Sequence, residues 1–256
     1  MKRLSVPVIT IIAVLILPGC GSRSNAKKES QQVIDTVSVA DTGFTGIKKY
    51  MSGNQVAREV TFKNGVRQGL MKTFYQSGRL RQTFWYENGL RQDSSRWYYE
   101  EGQLFRTTPF KNDTADGIQK QYYRTGKLKA EIGYSKGLRT PYLKEFTTDG
   151  KVVGGYPQLI INTSDEYKSG GVYKVILRLS DKSAQVRFFR GDLSGGVFDT
   201  AHCEKINTLK GIGNLELRKT GSARSGSVGV IAQILTTFGN NHLVYRKIDL
   251  PYNDLN

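Results

Sequence analysis

The stretch YYRTGKL, residues 122–128, recurs along the chain at a fixed interval. Near copies read FYQSGRL at 74–80 and YYEEGQL at 98–104, and a weaker copy reads FTTDGKV at 146–152. Each copy starts with an aromatic residue, has a glycine at its fifth position and an aliphatic residue at its seventh, and lies 24 residues from the next. A period of this length is the sequence signature of a repeat architecture.

Two series of turn signals alternate within each period. The first consists of four glycines spaced by 24 residues: Gly78, Gly102, Gly126 and Gly150. The second falls between them at Asn64-Gly65, Asn88-Gly89, Asn112-Asp113 and Lys136-Gly137. Asn-Gly is a strong hairpin signal, because both central residues of a type I′ turn need positive φ. A turn every 11 to 13 residues leaves no room for a helix pair. The sequence therefore predicts an antiparallel β-meander of about eight to ten strands.

The period also predicts what each face of this sheet carries, because successive side chains of a strand point to opposite faces. A candidate anion-binding ladder lies on one face, formed by Lys72, Arg96, Lys120 and Lys144. A candidate aromatic surface lies on the other face, formed by Tyr75, Trp97, Tyr99 and Tyr123. The alternatives are a plain solvated face for the basic residues and cross-strand packing for the aromatic ones.

The pattern YYxxGxL…YxNGxxxG resembles the variant MORN repeat (membrane occupation and recognition nexus) of bacterial proteins often labelled YwqK-like antitoxins. The resemblance extends over residues 44–154 and is clearest in the two central units. Asp93 and Pro141 replace a glycine of the motif, so the turns there are expected to differ. The resemblance implies an elongated twisted sheet with an interaction role, and no catalysis.

The N-terminus, MKRLSVPVITIIAVLILPGC, has the features of a signal peptide: a basic start, an apolar run and a small residue before Cys20. The ending LPGC resembles the lipobox of bacterial lipoproteins, which implies that the signal peptide covers 1–19 and that Cys20 is lipidated. In enterobacterial lipoproteins, Asp directly after the lipidated cysteine favours retention in the inner membrane. This chain has Gly21 there, so the resemblance implies the outer membrane. Residues 20–43 are rich in Ser, Lys and Gln, so we interpret them as a flexible tether.

Repetition stops near Gly155, and short β-like runs follow to the C-terminus. They cover residues 158–162, 172–180, 184–191, 214–219, 227–239 and 242–250, with a hairpin turn at 239–241. Six or seven strands in about 100 residues favour an immunoglobulin-like β-sandwich for residues 155–256. Of the two cysteines, Cys203 would be the one left after lipidation, and we interpret it as a half-buried structural residue beside His202.

Composition and missing motifs bound the function. The net charge of +16 favours anionic partners such as lipid headgroups or acidic glycans, although it also serves solubility. The chain contains no spaced Cys/His metal cluster, phosphate loop, dinucleotide fingerprint or nucleophile elbow, so we expect no cofactor and no metal. The sequence predicts a lipid-anchored binding or scaffolding protein of the bacterial cell envelope, with an envelope protein or an anionic ligand as partner and nucleic acid disfavoured. The alternative is an enzyme acting on an acidic envelope glycan.

Overall fold

A computed structural model describes residues 43–223 and 226–256. Strand residues make up 62% of this part of the chain and helical residues 3%. The signal peptide, Cys20 and nearly all of the tether lie outside the described residues. The predicted all-β, antiparallel fold is confirmed.

The first part of the described chain is one antiparallel sheet, the repeat sheet, in which sequential strands pair with each other. Its ten strands in the described residues are β1 (Gly46–Ser52), β2 (Gln55–Lys63), β3 (Val66–Phe74), β4 (Leu80–Glu87), β5 (Leu90–Tyr98), β6 (Leu104–Lys111), β7 (Thr114–Ala115), β8 (Gly117–Tyr122), β9 (Leu128–Ser135) and β10 (Leu138–Glu145). The two-residue strand β7 pairs only with β6, and β8 continues the meander beside it. The predicted meander of eight to ten strands is therefore present.

Each repeat closes its two turns in the same way. Both residues of each turn pair in the second series have positive φ, as a type I′ turn requires. The first residue of the first pair, Asn64, has φ 52°, and the first residue of the last pair, Lys136, has φ 48°. The glycines of the first series, Gly78, Gly102, Gly126 and Gly150, lie between φ 80° and 101°. Next to these glycines, an aromatic residue pairs with the aliphatic residue across the hairpin, as Tyr122 does with Leu128.

Register shifts of two kinds recur along the repeat sheet and interrupt the regular pairing. One kind follows the start of a strand and includes Gly69 and Asp93, whose φ values are 86° and 58°. The other kind falls beside the closing aromatic residue, as between Gln121 and Tyr122. Extra residues of this kind bend a strand and increase its right-handed twist. We therefore expect added twist where these shifts recur.

The second part of the described chain holds two four-stranded antiparallel sheets, with strand orders β11-β12-β16-β15 and β14-β13-β17-β18. Their strands are β11 (Leu159–Glu166), β12 (Val172–Leu179), β13 (Val186–Arg190), β14 (Glu204–Ile206), β15 (Thr208–Leu209), β16 (Ile212–Arg218), β17 (Ser227–Leu235) and β18 (Asn241–Asp249). A short helix α1 (Tyr167–Gly170) and a 3-10 turn (Thr200–His202) lie between strands. All six predicted runs overlap strands, and sequence reasoning missed the short strands β14 and β15.

One hydrophobic core joins these two sheets. Leu177 and Leu217 from the first sheet pack with Phe188 and Val230 from the second, and all four are fully buried. Gly213 is needed at this interface, because a Cβ atom there would lie 2.6 Å from the Phe188 ring. The immunoglobulin-like arrangement itself stays a prediction.

A buried carboxylate connects the last repeat strand to the terminal hairpin. Glu145, at the end of β10, is 0% exposed and accepts three hydrogen bonds. The donors are the Tyr156 hydroxyl at 2.9 Å, the Thr236 hydroxyl at 2.8 Å and the Asn240 side-chain amide at 2.7 Å. A buried charge is stable only when such partners replace water. The turn between β17 and β18 is therefore fastened to the repeat sheet.

Candidate functional site

A single transverse row crosses the repeat sheet and contains the four residues of the predicted ladder. Cα pairing connects its members strand by strand, from β1 to β10 with β7 omitted. They are Lys49, Glu59, Lys72, Thr83, Arg96, Thr107, Lys120, Glu131 and Lys144. The predicted ladder residues thus lie on every second strand of one row, about 10 Å apart by the spacing of strands. We call this row the basic row.

The basic row carries more positive than negative charge. Glu59 lies 3.7 Å from the Lys49 ammonium and 3.8 Å from that of Lys72, and Glu131 lies 3.9 Å from that of Lys120. Such partly exposed pairs contribute at most about 1 kcal/mol, so they hold these lysines only weakly.

Arg96, at the middle of the basic row, is flanked by Thr83 and Thr107 and has no carboxylate within 4 Å among the described residues. Lys144, at the end of the row, lies 5.3 Å from the centre of the Phe146 ring. The row therefore holds five cations against two carboxylates, and its central cation is available to an external anion.

Exposed apolar side chains flank the basic row on the same face. They keep between 38% and 60% of their surface exposed and are Ile47, Leu70, Trp85, Ile118 and Tyr142. Leu70 pairs directly with Trp85, and Ile118 pairs with Gly133. Tyr142 packs over Gly133, where a Cβ atom would lie 2.9 Å from that of Tyr142. We call these five residues the apolar row, and the two rows together the amphipathic face.

The residues of the predicted aromatic surface have structural contacts in the sheet. The Tyr75 hydroxyl donates to the Tyr98 carbonyl at 2.6 Å, and the Tyr99 hydroxyl donates to the Tyr122 carbonyl at 2.9 Å. The Tyr123 hydroxyl repeats this contact with Phe146 at 2.7 Å. Each of these tyrosines therefore fastens one repeat to the next through its hydroxyl. Among the described residues, the exposed aromatic side chains are those of Phe44, Trp85 and Tyr142. The last two lie on the amphipathic face, and sequence reasoning did not select them.

Trp97 also differs from the expectation of an open stacking residue. The guanidinium of Arg106 lies 4.8 Å from the centre of its ring, and that of Arg81 lies 5.9 Å away. The ring is half-buried between these cations. Its place on the face opposite the basic row agrees with the pattern, because Trp97 pairs with Gln82 and Arg106.

Away from the amphipathic face, the side chains best suited to chemistry have structural partners. Burial raises the pKa of the Cys203 thiol, which disfavours the reactive thiolate. The His202 ring is hydrogen-bonded to Asp199 at 2.8 Å. Glu145 and Asp181 line a cavity of about 650 Å³, but the Glu145 oxygens already accept hydrogen bonds from Tyr156, Thr236 and Asn240. No described helix has the length and apolar character needed to cross a membrane.

Comparison with known families bears on the middle of the repeat sheet. Residues 94–112 and 115–136 match the MORN repeat variant. These two units are similar to MORN repeats. The match covers β6 to β9 and the end of β5, and the rest of the chain has no family match. No curated protein matches the chain significantly.

The MORN repeats and the antiparallel sheet fit a repeat-based binding or scaffolding role. Sequence reasoning placed the four ladder residues in one row because they recur every 24 residues. One period is a hairpin of two strands, so equivalent residues lie on the same face of every second strand. It missed the apolar row, although one signal was present: Leu70, Trp85 and Ile118 each lie two residues from a member of the basic row. Alternation puts such residues on the same face.

Proposed function

We propose that this protein is a lipid-anchored binding and scaffolding protein of the bacterial cell envelope, whose repeat sheet docks its amphipathic face on an anionic lipid headgroup layer. The observation that carries the proposal is the juxtaposition of the basic row with the apolar row. Protein surfaces that lie in a membrane interface combine basic residues, which attract anionic lipids, with Trp, Tyr and Leu residues, which enter the headgroup region. Lipidation of Cys20 would hold the sheet near such a layer.

The magnitudes support a shared role for the two rows. A Lys or Arg near an anionic surface contributes about 1 kcal/mol, and the attraction falls off within the Debye length of about 8 Å at physiological salt. The members of the basic row are about 10 Å apart, so each interacts separately with one or two headgroups. An extended anionic layer can contact several neighbouring members at once, whereas a small ion can contact only one.

The charge prediction is tested with the quadruple variant Lys72→Gln, Arg96→Gln, Lys120→Gln and Lys144→Gln, made without the lipid anchor. Binding to vesicles of phosphatidylglycerol should weaken by as much as about a thousandfold, because four contributions of about 1 kcal/mol are lost. Wild-type binding should weaken between about 0.05 M and 0.15 M salt and should be absent from phosphatidylcholine vesicles. Co-sedimentation with vesicles measures both.

A matched control removes the same charge elsewhere, through Lys168→Gln, Arg187→Gln, Lys205→Gln and Lys247→Gln in the C-terminal part of the chain, where Lys168 lies in α1 and the others in strands. All four of these side chains are exposed. The proposal is wrong if this control loses as much binding as the ladder variant. It is also wrong if the ladder variant loses binding to a soluble polyuronate while vesicles never bind.

The apolar row has its own measurement. In a Trp97→Phe variant, Trp85 is the remaining tryptophan. Its emission should shift to shorter wavelength when phosphatidylglycerol vesicles are added, because the ring moves from water into the headgroup region. An unchanged spectrum with bound vesicles would contradict insertion of this row.

The anchor prediction rests on Cys20. Cys20→Ala should abolish incorporation of labelled palmitate and release the protein from the membrane fraction, because the acyl chains supply most of the membrane affinity. Cys203→Ala is the control and should keep its label. Equal labelling of the two variants would contradict lipidation at Cys20.

In this proposal the protein is not an enzyme. The glycan-active alternative would need free carboxylates, and the cavity that contains Glu145 and Asp181 is the place to test them. Asp181→Asn should leave vesicle binding unchanged, and the wild-type chain should release no reducing ends from an acidic polysaccharide. Release that depends on Asp181 would favour the enzyme.

A further inference from the structure

The face of the repeat sheet opposite the amphipathic face contains a second feature that docking does not explain. A cavity of about 200 Å³ lies there, spanning β4 to β9. This volume equals that of about six liquid water molecules, so it suits a small molecule or a single unit of a larger one. Its walls combine aromatic rings with amides, hydroxyls and two guanidinium groups, mainly from Gln82, Phe84, Arg91, Trp97, Arg106 and Phe110.

The two arginines of this cavity differ in their partners. Arg91 donates to the Asp113 carboxylate at 2.9 Å and to the Asp113 carbonyl at 3.0 Å. Arg106 is half-buried, its Nε has no hydrogen-bond partner, and no carboxylate lies within 4 Å among the described residues. Its neighbours are aromatic, with the Trp97 ring centre at 4.8 Å and that of Phe105 at 5.7 Å. Arg106 is thus a cation withdrawn from water without an anion beside it.

Unpartnered polar atoms continue along the same row of the sheet. Cα pairing connects Thr73, Gln82, Trp97 and Arg106 across four neighbouring strands. Gln82 is only 3% exposed, and its Nε2 has no partner among the described residues. The Thr73 hydroxyl is also buried and has no hydrogen-bond partner among the described residues. Buried polar atoms in proteins are nearly always hydrogen-bonded, so three exceptions in one row require an explanation.

We propose that this cavity binds the carboxylate of a small acidic molecule, with Arg106 as its charged partner and Gln82 as a second donor. Both side chains line the cavity, on either side of Trp97, and a guanidinium together with a neutral donor matches one negative charge. A dianion such as phosphate would need a second free cation. The other guanidinium of the cavity, that of Arg91, is already neutralised by Asp113. The aromatic walls suit the carbon skeleton of the ligand.

The test uses the full chain with Trp85→Phe, so that Trp97 is the fluorescent residue beside Arg106. Acetate, glutamate and glucuronate are titrated at constant ionic strength, with glucose and inorganic phosphate as the neutral and the doubly charged comparison. We expect at least one carboxylate to change the emission saturably and the two comparison compounds to have no effect. Tighter binding of glucuronate would indicate that the ligand carboxylate belongs to an acidic sugar. Tighter binding of glutamate would indicate that it belongs to an acidic amino acid. Phosphate that binds as well as the carboxylates, or no saturable response to any of them, would overturn the proposal.

Two variants locate the site. Arg106→Gln should weaken carboxylate binding by at least about tenfold, because a hydrogen bond to a charged group is lost. Gln82→Leu should weaken it less. Equal affinity of wild type and Arg106→Gln would place the ligand elsewhere and overturn the proposal.

Stability gives a readout that does not depend on a ligand. Replacing an unpaired buried charge by an apolar residue of similar size stabilises a protein, whereas breaking a satisfied pair destabilises it. We therefore expect Arg106→Met to raise the melting temperature and Arg91→Met to lower it. If both variants lower it equally, Arg106 is a structural cation and the carboxylate site is wrong.

Discussion

At the scale of the residue, the turn glycines show how one backbone angle sets the period of the sheet. Gly126 has φ +81°, and a Cβ atom at this position would have no heavy atom within 4 Å. Space is therefore available, and the restriction is conformational. Apart from Asn and Asp, L-amino acids rarely adopt this left-handed region, because their Cβ atom approaches the following carbonyl oxygen.

We expect Gly126→Ala to lower the free energy of unfolding by about 1–2 kcal/mol. Gly126→Asn should cost less, because Asn tolerates positive φ. Gly154→Ala is the control: it also has open space, but its φ lies outside the left-handed region. Urea denaturation measures all three, and equal stability of Gly126→Ala and Gly154→Ala would show that the turn adopts another geometry in solution.

At the scale of the element, hydrogen bonds at both edges of the sheet join each hairpin to the next. At one edge the second residue of a type I′ turn donates its N–H to the preceding repeat, as Gly89 does to the Arg67 carbonyl at 2.9 Å. At the other edge the tyrosine hydroxyls donate to carbonyls 23 residues ahead, as Tyr99 does to Tyr122. The repeats are therefore connected beyond the strand ladder, and a hairpin alone would lack both contacts.

Tyr99→Phe removes one of these connections and should lower the free energy of unfolding by about 0.5–1.5 kcal/mol. Tyr75→Phe and Tyr123→Phe should have effects of similar size, because they occupy the same position of the repeat. Tyr142→Phe is the matched control, since its hydroxyl donates to Glu131 on the exposed face. Thermal denaturation compares the four variants, and a larger loss in Tyr142→Phe than in Tyr99→Phe would contradict the fastening role.

At the scale of the whole molecule, the junction between the repeat sheet and the terminal hairpin carries a pH-dependent contact. The His242 ring stacks on that of Tyr156, with ring centres 4.4 Å apart. Burial lowers the pKa of His242 below its ordinary value of 6.5, and the nearby Glu145 opposes this in part. The folded protein therefore keeps this imidazole neutral at a pH where the unfolded chain would protonate it.

The sign of the effect follows from the lowered pKa. Above pH 6.5 the unfolded and folded states hold His242 in the same neutral form, so its contribution to stability is complete. Below pH 6.5 the unfolded chain binds the proton more readily, and stability is lost as pH falls toward the lower folded pKa. The melting temperature should therefore fall as the pH drops below about 6.5. His242→Phe should flatten this fall, and His202→Gln, at an exposed site, should leave it. A profile unchanged by His242→Phe would contradict the assignment.

Local sequence patterns are enough to predict the period, the two turn series and the faces of the repeat sheet. These features follow from local rules: Asn-Gly and Gly select backbone angles, and strand residues alternate between faces. Because 24 residues form a whole hairpin, Lys72, Arg96, Lys120 and Lys144 had to fall in one row. The MORN match in the central units agrees with this part of the chain.

The hydrogen-bond partners of the polar groups depend instead on contacts between distant parts of the chain. Arg91 and Arg106 look alike in the sequence, yet one pairs with Asp113 and the other has no anion beside it, because hydrogen-bond partners come from strands that the chain reaches 20 or more residues later. Glu145 meets Thr236 and Asn240 from more than 90 residues away. Such contacts depend on how hairpins twist and where the last sheet docks. The sequence period gives no information on the twist of the hairpins or on the docking of the last sheet. Both of these determine which polar groups stay unpaired, and therefore where a ligand can bind.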